Sequence, residues 1–325
     1  QDVSFSLYLR LNVSLKPMLS ASFASERSWL CRSFVPKLSE ELCQKLVAHR
    51  GFHCPLLSDK RPLECTLPAL QMAWNAGLRH CECDVRLSLD QKIIVLHDPN
   101  LDRLVSKESA KPTPNANTLQ AAELQRWPLC QEDIHIPLLE EVLKAALKSG
   151  SRLVIELKGS PNSSVGSAVA QLFAEDSTLL EACALVMSFE VPELVAFAKS
   201  APTESRPKLL LLTCHPNEGL EKKYQTLDLG DSAWEEQAKK FLSDLSLDGF
   251  YIEWTEKLSN QHSSAFQKLC QICGTVGVWQ RFGQTDSEEE ASLLLDLGAS
   301  FCNTDLPKGF LRGDGARDPK RQKSA

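Results

Sequence analysis

The sequence has no long hydrophobic run. Its extended apolar stretches, such as Ala182–Met187 and Leu209–Leu212, fall far short of the roughly 20 consecutive residues a membrane-spanning helix needs, so no integral membrane segment is expected. Nor is there an excess of positive charge. Lys plus Arg number 36 against 42 Asp plus Glu, a formal net charge of −6, and that balance offers no electrostatic footprint for nucleic acid. No Gly-x-Gly-x-x-Gly follows the first strand-like run, which counts against a dinucleotide-binding sheet. Cys270-Gln-Ile-Cys273 lacks the second Cys-x-x-Cys or paired histidines that a zinc site would require. The twelve cysteines therefore read as reduced, buried thiols of an intracellular protein, cytoplasmic or organellar, and not as a disulfide scaffold. Acids are scarce at the start: only Asp2 and Glu26 precede Glu40, while eight serines lie between Ser4 and Ser33 beside Arg10, Lys16, Arg27 and Arg32. Residues 1–40 read as an N-terminal extension, either disordered or an organellar transit peptide. Residues 313–325 have no apolar period and read as a disordered C-terminal tail, with Arg312-Gly313-Asp314 a chance match to an adhesion motif.

What is present is the material of a folded domain. The 325 residues are 43% hydrophobic and 24% charged, enough to bury a sizeable core. Strand-like runs are expected at Leu46–His49, His80–Leu87, Arg152–Lys158, Ala182–Phe189, Lys208–Cys214, Gly249–Trp254, Val276–Gln280 and Ser300–Thr304. Helical patterns fall between most of them, at Thr66–Ala76, Leu138–Leu147, Val165–Ala174, Val191–Ala198, Ala233–Leu242, Ser264–Cys270 and Ser287–Leu297. A short helix is also expected at Thr118–Leu124. Alternation of this kind predicts an α/β fold, a single-domain (β/α)8 TIM barrel over residues 41–312. A doubly wound open sheet would give a similar string.

In such a barrel the chemistry sits at the C-terminal ends of the strands. Those ends read Val47-Ala48-His49-Arg50-Gly51, then His80-Cys81-Glu82-Cys83-Asp84-Val85-Arg86, and Val154-Ile155-Glu156-Leu157-Lys158. A further short run ends in His97-Asp98. Side chains alternate along a strand, so Glu82 and Asp84 share one face, as do Glu156 and Lys158, while Cys81 and Cys83 face away. Three carboxylates converging at a barrel mouth repel one another unless a cation neutralises them, and all-oxygen ligation suits Mg²⁺ or Ca²⁺. His49 and His97 can exchange protons near neutrality. Arg50 and Lys158 add fixed positive charge suited to an oxyanion such as phosphate. Together these groups describe phosphoester cleavage.

His49-Arg50-Gly51, Leu63-Glu64-Cys65-Thr66, Glu82-Cys83-Asp84, His97-Asp98-Pro99-Asn100-Leu101-Asp102-Arg103, Ile136-Pro137-Leu138-Leu139-Glu140-Glu141 and Ile155-Glu156-Leu157-Lys158 resemble, in order, the motifs of the glycerophosphodiester phosphodiesterase family. The likeness runs from Leu46 to Leu311 and closes on Asn303-Thr304-Asp305-Leu306-Pro307. It implies a TIM barrel that hydrolyses a small glycerophosphodiester to glycerol 3-phosphate and an alcohol. It further implies a divalent metal on Glu82, Asp84 and Glu156, His49 and His97 as the acid/base pair, and substrate contacts from Arg50 and Lys158. Trp279 would supply an aromatic wall and Glu64 a supporting carboxylate. Two positions depart from the family's usual pattern: Cys65 stands where Asn is common, and Gln280 where Thr is usual. Competing readings are a lysophospholipase D acting on lysophospholipids, and a non-catalytic barrel that binds phosphodiesters or a protein partner.

Overall fold

Runs such as Leu153-Val154-Ile155 and Leu209–Leu212 are apolar without alternation, which suits parallel strands covered on both faces. The computed structural model describes residues 38–53, 61–109, 111–159, 164–202, 205–216, 224–280 and 287–305. All of them belong to the second of the two units into which the chain divides, Val35–Ala325. The readings of a transit peptide or disordered extension before residue 38, of Leu306–Leu311 and of the C-terminal tail lie outside the described residues.

Among the described residues the strands are β1 (Leu46–Ala48), β2 (His80–Leu87), β3 (Ile93–Val95), β4 (Arg152–Leu157), β5 (Cys183–Ser188), β6 (Lys208–Thr213), β7 (Gly249–Glu253), β8 (Val276–Trp279) and β9 (Phe301–Thr304). They form one sheet in the order β1-β9-β8-β7-β6-β5-β4-β2-β3, and β1 also pairs with β2. That last pairing closes a (β/α)8 barrel of eight parallel strands; β3 runs antiparallel against the end of β2. The helices are α1 (Glu40–Lys45), α2 (Leu67–Asn75), α3 (Ala121–Arg126), α4 (Leu139–Ser149), α5 (Val165–Glu175), α6 (Val191–Ser200), α7 (Trp234–Leu245), α8 (Glu256–Gln261), α9 (Ser263–Cys273) and α10 (Glu288–Asp296). None among the described residues is long and apolar enough to cross a membrane.

Local chemistry explains the element ends. In α4 the apolar stripe Leu139, Val142, Leu143 and Ala146 is buried, each Leu or Val contributing about 1.5–3 kcal/mol relative to exposure. The Glu141 carboxylate accepts from the Leu138 N–H at 2.8 Å, and the helix stops at Gly150 with a left-handed φ of 69°, the usual C-terminal brake. Two helices have no counterpart in the apolar pattern. Helix α1 is capped by the Ser39 hydroxyl, which accepts from the Leu42 N–H at 3.1 Å; α8 is capped by Thr255, whose hydroxyl accepts from the Leu258 N–H at 3.3 Å. The single helix expected at Thr118–Leu124 is instead a 3₁₀ turn, Ala116–Thr118, followed by α3, because Leu119 and Gln120 between them are extended.

The barrel interior is filled by Val47, Val154, Leu185, Met187, Leu210, Leu212 and Tyr251. Gly277 makes room for the tyrosine: a Cβ there would sit 2.1 Å from the Tyr251 ring. A second apolar cluster lies beneath the excursion between β3 and α4, where Leu101, Leu104, Leu124 and Ile136 pack with Leu63 and Leu96. Periodicity points to little more than a short helix here, yet the excursion has a core of its own. Its first turn carries His97.

Candidate active site

The strands stop one residue before several expected ends. His49, Lys158, Phe189, Cys214, Trp254 and Gln280 are each the first residue beyond a strand, at the rim where a barrel carries its chemistry. Pairing register assembles the acids there. Asp84 on β2 lies level with Glu156 on β4, and Glu82 with Val154. Alternation sends Cys81 the other way, its Sγ 3.8 Å from the Leu70 carbonyl of α2. One carboxylate oxygen from each of Glu82, Asp84 and Glu156 lies within 4.8 Å of the other two, and all three residues are buried. Lys158 extends its ammonium to Glu156 and, at 3.1 Å, to Asp84 Oδ1.

The electrostatics of this trio are unbalanced. Burial, reinforced by Asp84, pushes the Glu82 carboxyl well above its ordinary range. Burial would raise Asp84 too, but Lys158, His97, Arg50 and His49 hold it well below. Glu156 is raised by burial despite the adjacent Lys158. Glu82 Oε1 is buried and has no hydrogen-bond partner, an arrangement that costs roughly 1–3 kcal/mol for a neutral group and more for a charged one. A proton on Glu82 or a cation among the three would relieve the repulsion. Oxygen-only donors fit a hard divalent ion and not zinc.

The turn after β1 aims Arg50 and His49 at these acids. Arg50 and Gly51 are both left-handed, with φ of 56° and 77°. The turn lays the Phe52 N–H on the Ala69 carbonyl at 2.8 Å, so closely that a Cβ on Gly51 would meet the Ala69 carbonyl carbon at 2.6 Å. The same turn donates the Arg50 backbone N–H to Glu82 Oε2 at 3.0 Å. The Arg50 side chain places Nε 3.4 Å from Asp84 Oδ2 and bonds Glu64 Oε1 at 3.0 Å. His49 continues the β1–β9 register. Its N–H bonds the Thr304 carbonyl at 3.0 Å, its Nδ1 lies 2.5 Å from Asp305 Oδ1, and its Nε2 is 3.8 Å from Glu82 Oε2. Burial and Arg50 push its pKa down, but Asp305 and Glu82 together outweigh them and the net shift is upward.

His97 is held in a matching way by its own neighbour. Its Nδ1 lies 2.7 Å from Asp98 Oδ1, and Arg86 clamps its carbonyl with Nε at 2.9 Å and a terminal nitrogen at 2.7 Å. An aspartate on Nδ1 fixes the Nδ1–H tautomer and leaves Nε2 for exchange. Asp98 in turn receives Arg103 Nε at 2.5 Å. The two terminal nitrogens of Arg103 each bond one oxygen of Glu64 at 2.7 Å. Burial would raise Glu64, yet Arg103 and Arg50 pull it down to about 2.

The fold therefore gathers His49, Arg50, Glu64, Glu82, Asp84, Glu156 and Lys158 into one contact network, with His97 joined to it through Asp98 and Arg103. Trp279 stands on the β6 side: its indole N–H donates to the Thr213 carbonyl at 3.1 Å. Its ring meets Phe189 edge-on at 5.5 Å, and Phe189 packs on Tyr224 at 4.5 Å, so the aromatic wall has three members. Cys65 puts its Sγ 3.5 Å from Asp84 Oδ2, a weak donor where the family's asparagine would offer an amide. Asp98, Arg103, Asp305 and Arg86 have no part in the site as read from sequence. The first three stand inside the family-like motifs; only the folded contacts show what they touch.

The fold and its rim define a TIM-barrel protein with a buried carboxylate trio, two aspartate-bound histidines and two cations at the C-terminal mouth. The chain belongs to the glycerophosphoryl diester phosphodiesterase family, whose sequence model matches residues 49–243. YqiK of Bacillus subtilis, described as uncharacterized, is 32% identical over 166 residues, covering 51% of this chain and 66% of that protein. A glycerophosphodiester phosphodiesterase of Bacillus altitudinis is 30% identical over 161 residues, covering 49% and 63% respectively. The chain thus spans slightly less than two thirds of these relatives' length. An Oleispira antarctica phosphodiesterase, solved with its product sn-glycerol-3-phosphate, superposes with a TM-score of 0.55 at 22% identity, over 81% of this chain and 93% of that one. That likeness shows the fold.

Proposed function

We propose that this protein is a metal-dependent phosphodiesterase that hydrolyses a glycerophosphodiester to glycerol 3-phosphate and an alcohol. The observation that carries the proposal is the buried trio with an unpartnered Glu82 oxygen, flanked by two histidines whose Nδ1 atoms are both committed to aspartates. Family membership supports the reaction class, and the product bound in the Oleispira structure supports the substrate class. Glu82, Asp84 and Glu156 would hold the cation, Mg²⁺ or Ca²⁺. When bound, such an ion supplies charge stabilisation to the phosphoryl oxygens.

The chain's own residues do the rest. Arg50 and Lys158 orient the phosphate, and Trp279 with Phe189 covers the carbon face of the glycerol. A glycerol hydroxyl attacks phosphorus while one histidine takes its proton through Nε2. The other histidine gives a proton to the departing alcohol. Water then opens the resulting cyclic phosphate with the two roles exchanged. Asp305 and Asp98 keep each imidazole in the competent tautomer through the cycle. Buried thiols such as Cys65, Cys81, Cys83 and Cys183 accord with an intracellular home, cytoplasmic or organellar.

The test is a product assay on glycerophosphocholine and glycerophosphoethanolamine with Mg²⁺, Ca²⁺ or chelator, paired with calorimetric titration of each cation. Glycerol 3-phosphate and the free alcohol should appear only with the cation, and Glu82→Ala should weaken its binding. Absence of turnover with either ion, or full turnover in chelator, overturns the proposal.

A further inference from the structure

Arg103 joins the two halves of the rim, and its chemistry goes beyond a surface ion pair. All three guanidinium nitrogens are used. Nε bonds Asp98 Oδ2 at 2.5 Å, while the two terminal nitrogens grip both oxygens of Glu64 at 2.7 Å each. A fork-to-fork contact of this kind fixes orientation as well as distance. Each carboxylate then holds a residue that takes part in the proposed reaction. Asp98 Oδ1 takes His97 Nδ1 at 2.7 Å, and Glu64 Oε1 takes an Arg50 terminal nitrogen at 3.0 Å. The chain His97–Asp98–Arg103–Glu64–Arg50 therefore connects a proton-transfer residue to a phosphate-binding one, although those two leave different strands and lie on different loops.

We infer that Arg103 is a positioning residue that sets the alignment of His97 and of Arg50 relative to one another. The inference rests on the proposed reaction, and it adds to that reaction a residue with no direct part in it. The side chain of Arg103 is 46% exposed, whereas that of Glu64 is 6% exposed. The position is thus open to solvent, so that free guanidinium could enter the space left by an Arg103→Ala substitution. Lysine could not replace it: a point charge can satisfy Asp98 or Glu64 but cannot present the planar fork to one and a third donor to the other.

Steady-state kinetics of the metal-loaded enzyme on glycerophosphocholine provide the test, with Arg103→Ala and Arg103→Lys set beside Asp98→Asn, Glu64→Gln and His97→Ala. Misalignment of a reacting group by about 1 Å can cost about 10²-fold in rate, and a loss of that order in kcat/KM is expected for Arg103→Ala. Asp98→Asn should act mainly on kcat, through His97. Glu64→Gln should act mainly on KM, through Arg50. Arg103→Ala should show both effects, and millimolar guanidinium should restore part of the loss. Arg103→Lys should retain a KM defect, and it decides the matter if the alanine variant does not fold. An Arg103→Ala enzyme within twofold of wild type overturns the inference, as does a loss that guanidinium leaves untouched or an Arg103→Lys enzyme indistinguishable from wild type. Failure of the underlying reaction looks different: wild type itself would not turn over, or His97→Ala would remain fully active.

Discussion

At the scale of single residues, the rim is built from charged groups that are tolerable only in company. His49 and His97 each give one ring nitrogen to an aspartate and keep the other for chemistry. General acid–base assistance is typically worth about 10²–10⁴-fold, so His49→Ala and His97→Ala should each lose kcat in that range while far-UV circular dichroism stays native. A variant that turns over normally assigns its histidine to structure alone. Glu64 offers a separate test in stability. Its folded pKa is depressed from 4.5 to about 2, since Arg103 and Arg50 overcome the effect of burial. The unfolded chain therefore binds the proton more readily. The stabilisation is present above pH 4.5 and is lost as pH falls from there towards about 2. Urea unfolding near pH 5 and near pH 3 should show a steeper loss for wild type than for Glu64→Gln; equal slopes would mean that the Glu64 contacts do not persist in solution.

At the scale of elements, the turn after β1 and the excursion after β3 bring the two histidines to the carboxylates that strands β2 and β4 carry. Gly51 is the hinge of the first. Its φ of 77° already excludes most side chains, and a Cβ would press 2.6 Å from the Ala69 carbonyl carbon. Gly150, at φ 69°, has a similar backbone but nothing within 4 Å of its imagined Cβ. Comparing Gly51→Ala with Gly150→Ala thus separates crowding from conformation. Gly150→Ala should cost about 1 kcal/mol, the order expected for a side chain forced left-handed, and should spare activity. Gly51→Ala should cost more than that by chemical denaturation and should depress activity as well, because moving the turn moves His49 and the Arg50 N–H on Glu82. Equal penalties with unaltered kinetics would refute the close-approach argument. The excursion after β3 has no such crowded glycine; it is fixed by its own apolar cluster and by the Arg103 clamp.

At the scale of the whole molecule, what matters is how much apolar shelter the mouth provides. Among the described residues the rim offers Phe189, Tyr224 and Trp279 as a single aromatic wall, and no helix is long and apolar enough to cross a membrane. Such a wall suits the carbon face of a glycerol better than an acyl chain, which buries about 0.8 kcal/mol of favourable transfer energy per methylene only where there is surface to receive it. Glycerophosphocholine should therefore be cleaved with a higher kcat/KM than its lysophospholipid counterpart when both are assayed below the micellar concentration. A clear preference for the acylated substrate would promote the lysophospholipase D reading.

The sequence by itself determined the alternation of strands and helices and the shared face of Glu82 and Asp84, because both depend on local periodicity. That the sheet closes into a barrel was decided by the pairing of β1 with β2. Alternation along β2 puts Glu82 and Asp84 on one face whatever else the chain does, and strand ends in a parallel barrel share one rim. Contacts between distant segments were beyond its reach. Asp305 meets His49 across 256 positions only because β9 pairs with β1 as the barrel closes. Arg103 meets Glu64 across 39 only because the excursion after β3 folds back on the loop before α2. A side chain's period says which way it points, and closure of the barrel decides what it meets there.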